Sequence, residues 1–312
     1  MMIKRIVKKF LIHVLLFVRG IIYRITTNKE VAVACIARLE GHYIREFVEH
    51  YKSLGFSKCI VADNNHDEDS EDLSIILRDY IDEGFVIYED YRNKVAYQMK
   101  CYAELYQKYR ESFFAIAFFD VDEFLVLPHH NNIYDFLRDK CQFDCVVINW
   151  LCFGDSNQVY ADYSKPLNER FTEPCPIDTK VDYDFSENRH IKSIIICRSK
   201  SVAFPNNPHI PGYQKLFYIC NSDGKRCDIS PFQPINYKNA YLKHFVTKSL
   251  QEWVEIKLRR GGPDRDYKTY RSLVRLDRFF KYNSMTKEKQ EYLDSLKSGM
   301  YKWLYIDCES DE

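Results

Sequence analysis

The stretch Phe118-Phe119-Asp120-Val121-Asp122-Glu123-Phe124 places three acids directly after an apolar run. Carboxylates at the end of a buried strand need a counter-charge, because an isolated anion in a low dielectric is costly. If the strand continues through them, alternation sends Asp120 and Asp122 to one side and Val121 and Glu123 to the other. Two hard oxygen donors then converge. Such a pair suits Mg2+ or Mn2+, and a cation of that kind neutralises a diphosphate. The plain alternative is that the acids cap the following loop or bind basic neighbours.

The elements that must position these acids are legible upstream. Val31 to Ala37 is a continuous apolar run suited to a strand buried on both faces. Residues 42–54 set Ile44, Phe47, Val48 and Tyr51 at helical spacing, and Gly55 stands where the helix would end. Lys58 to Ala62 predicts a second strand, residues 70–82 a helix closing at Gly84, and Phe85 to Tyr88 a third strand. A helix over 95–109 leads to a fourth strand, Phe114 to Phe119, with further strands at Cys145 to Trp150 and Ile191 to Cys197. This alternation argues for an α/β fold with a mostly parallel central sheet flanked by helices. Ligands of such sheets bind at the carboxyl ends of the strands, where Asp120 would lie. Residues 152–240 read as loop-rich, and the chain from Ser249 is charged and helix-prone. There is no internal repeat.

Composition narrows the function classes. The chain has 312 residues, 45 basic and 45 acidic, so no global field draws it to nucleic acid. Its 11 cysteines lie in apolar runs with no CxxC or CxxH spacing, as expected of reduced thiols in a cytoplasmic protein. Residues 1–28 carry six lysines and arginines and no acid. The apolar run Phe10 to Val18 is shorter than the roughly 20 residues that span a bilayer, and no small-x-small cleavage site follows it. The expectation is a basic amphipathic segment lying on anionic membrane, peripheral at the inner face of the cell membrane. A helix packed on its own domain is the alternative.

Four segments taken in order carry a family resemblance: Ala34 to Glu40, Ile44 to Gly55, Ile60 to Asn64, and Asp120 to Phe124. Later pieces extend it: Asn149 to Gly154, Glu169 to Phe171, His190 to Ser193, Asn207 to His209, Lys243 to Ser249, and Arg260-Gly261. The chain resembles the bacterial family-2-like glycosyltransferases and the related family 92 enzymes, of GT-A fold. That resemblance implies three parts: the membrane segment 1–28, a GT-A domain over 29–265 with a loop-rich acceptor half, and a helical C-terminal extension over 266–312.

It also implies a metal-dependent, inverting transfer of a sugar from a nucleotide-sugar, a UDP-sugar foremost, to a glycan or lipid-linked saccharide. Arg38 and Glu40 match the end of the first strand, where the base and ribose of the donor bind. Asp63 would bond base or ribose, or else start the Asn64-Asn65 turn. Arg92 and Gln98 are diphosphate or base contacts, or ordinary surface residues. Asp122 would ligate Mn2+ or Mg2+, with Asp120 on metal or ribose. A downstream histidine, His244 or alternatively His209, would complete the metal sphere, while His190 reads as structural. Lys248 and Arg260 would cover the diphosphate, in a segment hinged at Gly261 and Gly262. The base is expected at Asp155, after the Phe153-Gly154 turn, or at Asp264. A haloacid-dehalogenase-like phosphatase also carries Asp-x-Asp, but on its first strand. A catalytically inactive sugar-binding or assembly protein of the same fold is the other competitor.

Overall fold

In the computed structural model the described residues are 2–24, 30–175, 187–198, 202–204, 207–212, 217–260 and 276–297. Helix α1 (Met2–Arg24) precedes the first strand, β1 (Val31–Ala37), every residue of which is buried. Alternate β1 side chains enter two cores. Val33 and Cys35 face the helix α2 (Ile44–Ser53), whereas Ala32, Ala34 and Ile36 share a cluster with Cys101, Tyr102 and Leu105 of the later helix that covers the opposite face. This two-sided burial is why β1 reads as an unbroken apolar run.

Strand β2 (Lys58–Asp63) pairs parallel with β1, and β3 (Val86–Asp90) pairs parallel with β2. Between them the expected single helix is two short ones, α3 (Leu73–Ile76) and α4 (Arg78–Asp82), parted at Leu77. Gly55 and Gly84 both hold φ of +77°, the left-handed geometry a helix end takes most easily with glycine. Helix α5 (Gln98–Tyr109) then leads into β4 (Ala115–Phe118), parallel to β1.

Beyond β4 the expected mostly parallel sheet is not what forms. The sheet is mixed, in the order β3-β2-β1-β4-β7-β6-β10-β5, with β5 (Glu123–Val126), β6 (Cys145–Cys152), β7 (Ile191–Ile196) and β10 (Tyr241–His244). Strand β7 runs antiparallel to both β4 and β6, β5 is antiparallel to β10, and β10 is parallel to β6. A two-strand hairpin, β8 (Ile219–Cys220) and β9 (Arg226–Cys227), is appended through β8 to β6.

Four residues join β4 to β5, and Glu123 donates its backbone N–H to the Asp120 carbonyl at 3.0 Å, so the two strand ends lie close together. The hydrogen-bonded path between them nevertheless crosses three other strands, which in a flat sheet would separate them by about 19 Å. The sheet therefore curls into a half-barrel, unlike an open parallel sheet.

The C-terminal part packs on a third core. Val159, Leu250, Trp253, Val254 and Leu258 meet Phe279, Tyr292 and Leu293 from the helices Leu276–Phe280 and Lys287–Leu296. At the other end of the chain α1 rests on the domain through Ile12, Leu15, Leu16 and the buried Gly20, and Arg19 reaches Asp144 at 3.2 Å. Its other side leaves Phe10, Leu11, Phe17 and Ile22 exposed. Among the described residues no helix is long and apolar enough to cross a membrane.

Candidate active site

The acids after β4 do not continue the strand. Residues 119–122 form a turn, so the alternation expected of Asp120 and Asp122 does not operate, and each acid acquires its own set of partners. Both still line one cleft of about 420 Å³ on the carboxyl side of β1 and β4, together with Arg38, Glu40, Trp150, His190, His244 and Arg260 among others.

Asp122 is buried under cations. Lys248 Nζ lies 3.3 Å and Lys257 Nζ 3.5 Å from its Oδ2, while His244 Nε2 lies 3.6 Å from Oδ1. Burial by itself would raise the carboxyl pKa, yet the charges of Lys248 and Lys257 hold it below the usual carboxylate range. Burial lowers His244 to about 3 despite the pull of Asp122, so the imidazole is neutral at pH 7. Lys257 is lowered by burial too. Lys248 takes part because its backbone adopts the left-handed region, φ 56°, between the end of β10 and the helical turn Leu250–Glu252. For a lysine that conformation is costly, and such strain collects at functional sites.

Asp120 has a different environment. Its Oδ1 accepts from Gln98 Nε2 and from Tyr102 Oη, both at 3.0 Å, and pairs with Lys192 Nζ at 2.8 Å. Lys192, the second residue of β7, is wholly buried and lies 3.6 Å from Glu123 Oε1 as well. Burial would depress Lys192, but the carboxylates of Asp120 and Glu123 raise it; Glu123 is itself pushed well up by burial.

Trp150, at the end of β6, organises the rest of the cleft. Its ring stacks on His190 at 5.0 Å and 22°, and meets His209 at 5.1 Å and His244 at 4.2 Å. His190 places Nδ1 3.2 Å from the Glu187 carbonyl, and His209 places Nδ1 3.1 Å from the Ile191 carbonyl. Burial lowers both imidazoles, His209 the further, since Lys192 and His190 add to the effect.

The other expected residues divide clearly. Arg260 pairs with Glu40 and donates to the Arg38 carbonyl at 3.1 Å, closing one wall. Arg38 itself pairs with Asp69 at 2.7 Å. Asp63 is buried at the end of β2, where it accepts from Asn65 N and Nδ2 at 2.9 Å each and from Tyr88 Oη at 3.1 Å, and it does not line the cleft. Arg92 is turned to Asp90, 3.3 Å away, and is also outside.

Asp155 is not brought to the cleft. Its carboxylate is paired with the wholly buried Lys289, and its backbone N–H donates to Asn283 Oδ1 at 2.6 Å. The glycine beside it serves this same contact, since a Cβ on Gly154 would stand 2.6 Å from Asn283 Oδ1. Asp264, with Gly261 and Gly262, lies outside the described residues.

The donor set can be tested against a divalent cation. Both lysines approach Oδ2 of Asp122, leaving Oδ1 facing the neutral His244 Nε2. Asp122 Oδ1 and His244 Nε2 are therefore the groups that would hold a cation here, with Asp120 nearby on the same cleft. Among the described residues no three His, Cys, Asp or Glu side chains form a cage. A two-donor seat suits Mg2+ or Mn2+, which take remaining ligands from substrate phosphate and water.

Trp150 and Lys192 lie within the family-like segments of the sequence but had no role expected of them, and Lys257, Glu187 and Arg278 were not expected at all. Lys192 had a signal: it is the lone charge in His190-Ile191-Lys192-Ser193-Ile194-Ile195-Ile196, and a lysine inside such a strand requires a buried acid. Lys257 and Arg278 had none, for they arrive from helices far along the chain.

The α/β domain thus gathers an acid pair and several cations in one cleft at the carboxyl ends of β1 and β4. The sequence model of glycosyltransferase family 92 matches residues 30–256, and the chain belongs to that family. A glycosyltransferase family 92 protein of Ricinus communis is 25% identical over 111 residues, 36% of this chain and 20% of that protein, so the chain spans about one fifth of that relative's length. Among solved structures, S. aureus TarS 1–349 aligns at 14% identity with a TM-score of 0.35, covering 54% of this chain and 47% of that one; its complex with UDP aligns at 13% and 0.34, with the same coverage.

Proposed function

We propose that this chain transfers a sugar from a UDP-sugar to a glycan or lipid-linked saccharide in surface polysaccharide synthesis, with inversion at the anomeric carbon. The observation that supports this most is the concentration of positive charge on Asp122, whose one carboxylate oxygen is shared by Lys257, on the cleft wall with Arg260 and Arg278, and by Lys248, which is buried and does not itself line the cleft. One carboxylate cannot neutralise both lysines, so a further anion is favoured there. A diphosphate supplies it, and its charge grows as the sugar departs.

In this reading Arg38 and Glu40 meet the base and ribose, while Lys248, Lys257 and Arg260 hold the diphosphate. Gln98, Tyr102 and Lys192 fix Asp120 in one orientation beside the sugar. Mn2+ or Mg2+ would be held by Asp122 and His244, with Asp120 alongside, and would add charge stabilisation for the leaving diphosphate. The protein would work at the cytoplasmic face of a membrane, held there by the apolar side of α1.

The test is nucleotide release from a panel of UDP- and GDP-hexoses by the full chain, with and without Mn2+. UDP-hexose turnover that is lost in Asp122→Asn supports the reading. UDP binding without turnover of any donor would leave a sugar-nucleotide-binding protein, and absence of UDP binding in calorimetry would remove the reading altogether.

A further inference from the structure

We infer that His190 is the general base of the transfer, receiving the acceptor hydroxyl's proton on Nε2. This deepens the transferase reading and rests on it. His190 stands at the entry to β7 and lines the cleft. A carbonyl oxygen only accepts, so the 3.2 Å contact from Nδ1 to the Glu187 carbonyl places the ring hydrogen on Nδ1 and the lone pair on Nε2. Among the described residues Nε2 has no hydrogen-bond partner. The ring cannot swing away, because it is stacked on Trp150 and met edge-on by Phe232 at 4.4 Å.

Asp155 lies away from the cleft and is neutralised by Lys289. Asp120, Asp122 and Glu40 each face a cation at ion-pair distance. His209 also lines the cleft, but the charges near it are Lys192 and His190, which oppose a further proton. His190 instead has the Glu187 carboxylate 3.8 Å from Nδ1, and Glu187 is itself 3.9 Å from Arg278. An imidazolium formed at His190 therefore has an anion beside it, opposed in part by the more distant charge of Arg278, whereas His209 has cationic neighbours and, among the described residues, no such anion.

The step balances. The acceptor O–H bond breaks and its proton passes to Nε2 while the oxygen bonds to the anomeric carbon. The bond from that carbon to the β-phosphate oxygen breaks, and its electron pair stays on the diphosphate. The proton on His190 then returns to solvent. Trp150 touches both His190 and His244, so the base and the diphosphate end of the cleft share one rigid neighbour.

The experiment uses the full chain and a UDP-hexose it hydrolyses, water standing in as acceptor. His190→Gln should lower kcat about 10²–10⁴-fold while UDP affinity stays within about twofold, whereas His209→Gln should cost less than about tenfold. Histidine 15N shifts should show Nδ1 protonated and Nε2 bare at His190. A His190→Gln rate equal to wild type, or an Nε2–H tautomer, overturns the assignment while leaving the transferase reading intact. A wild-type protein that binds UDP yet hydrolyses no hexose donor removes the transferase reading, and this assignment with it.

Discussion

Lys192 lies 2.8 Å from Asp120 with its entire side chain inside the protein, and the same ammonium is 3.6 Å from Glu123. One lysine of β7 thus carries the counter-charge for Asp120 of the turn after β4 and for Glu123 at the start of β5. Replacing Lys192 by Met would strand both carboxylates, at a cost of about 3–5 kcal/mol in urea unfolding. Adding Glu123→Gln should restore part of that loss. If Lys192→Met unfolds at the wild-type midpoint, the ion cluster does not hold the turn.

Glu252 gathers a second buried cluster, accepting from Tyr43 Oη at 2.6 Å, from Arg170 Nη1 at 2.9 Å and from the Ser249 N–H at 3.0 Å. Burial would raise its pKa, but the Arg170 hydrogen bonds and charge bring it below the ordinary value. A carboxyl lowered in the folded state adds stability that is present above its unfolded pKa and lost as pH falls through the folded one. Wild-type stability should therefore fall on acidification below about pH 4.5, the unfolded range of a glutamate, and the fall should be shallower in Glu252→Gln. Identical acid limbs in the two proteins would contradict this.

Asp155 is paired with Lys289 of the C-terminal helix Lys287–Leu296, so its loss should loosen that contact. Asp155→Asn leaves a buried lysine without its anion and should cost about 3 kcal/mol of stability. Nucleotide release measured well below the melting temperature should stay near wild type. A variant that melts normally but no longer turns over donor would return Asp155 to the reaction.

On α1 the side chains of Phe10 and Phe17 are 67% and 70% exposed, while Gly20 and Leu16 face the domain. Inserting each phenylalanine into the interfacial region of a membrane is worth about 1.5–3 kcal/mol. The double variant Phe10→Ser, Phe17→Ser should float poorly with anionic liposomes, and high salt should weaken the wild type further, since residues 1–28 carry six basic residues. Equal flotation of variant and wild type would exclude this face as the contact.

The first half of the fold was legible because its signals are local. An unbroken apolar run marks β1, helical spacing marks α2, and Gly55 and Gly84 mark helix ends. The acid pair was legible for the same reason, since carboxylates after a buried strand demand a charged environment whatever the topology. The two-sided role of α1 was half legible: the sequence poses membrane and domain as alternatives, and the helix gives one face to the domain and leaves the other exposed.

What the chain determined on its own, then, was the run of α/β units up to Asp120 and the presence of buried acids needing cations. Which cations answer them was decided only in three dimensions. Lys192 comes from a strand inserted antiparallel beside β4, and Lys248 and Lys257 come from a segment more than 120 residues downstream. Strand direction was equally invisible, because a buried strand shows the same apolar run whether its neighbour is parallel or antiparallel. The turn at Asp120 to Glu123 separated two acids that strand alternation would have paired, and a single hydrogen bond across that turn is not written in residue types.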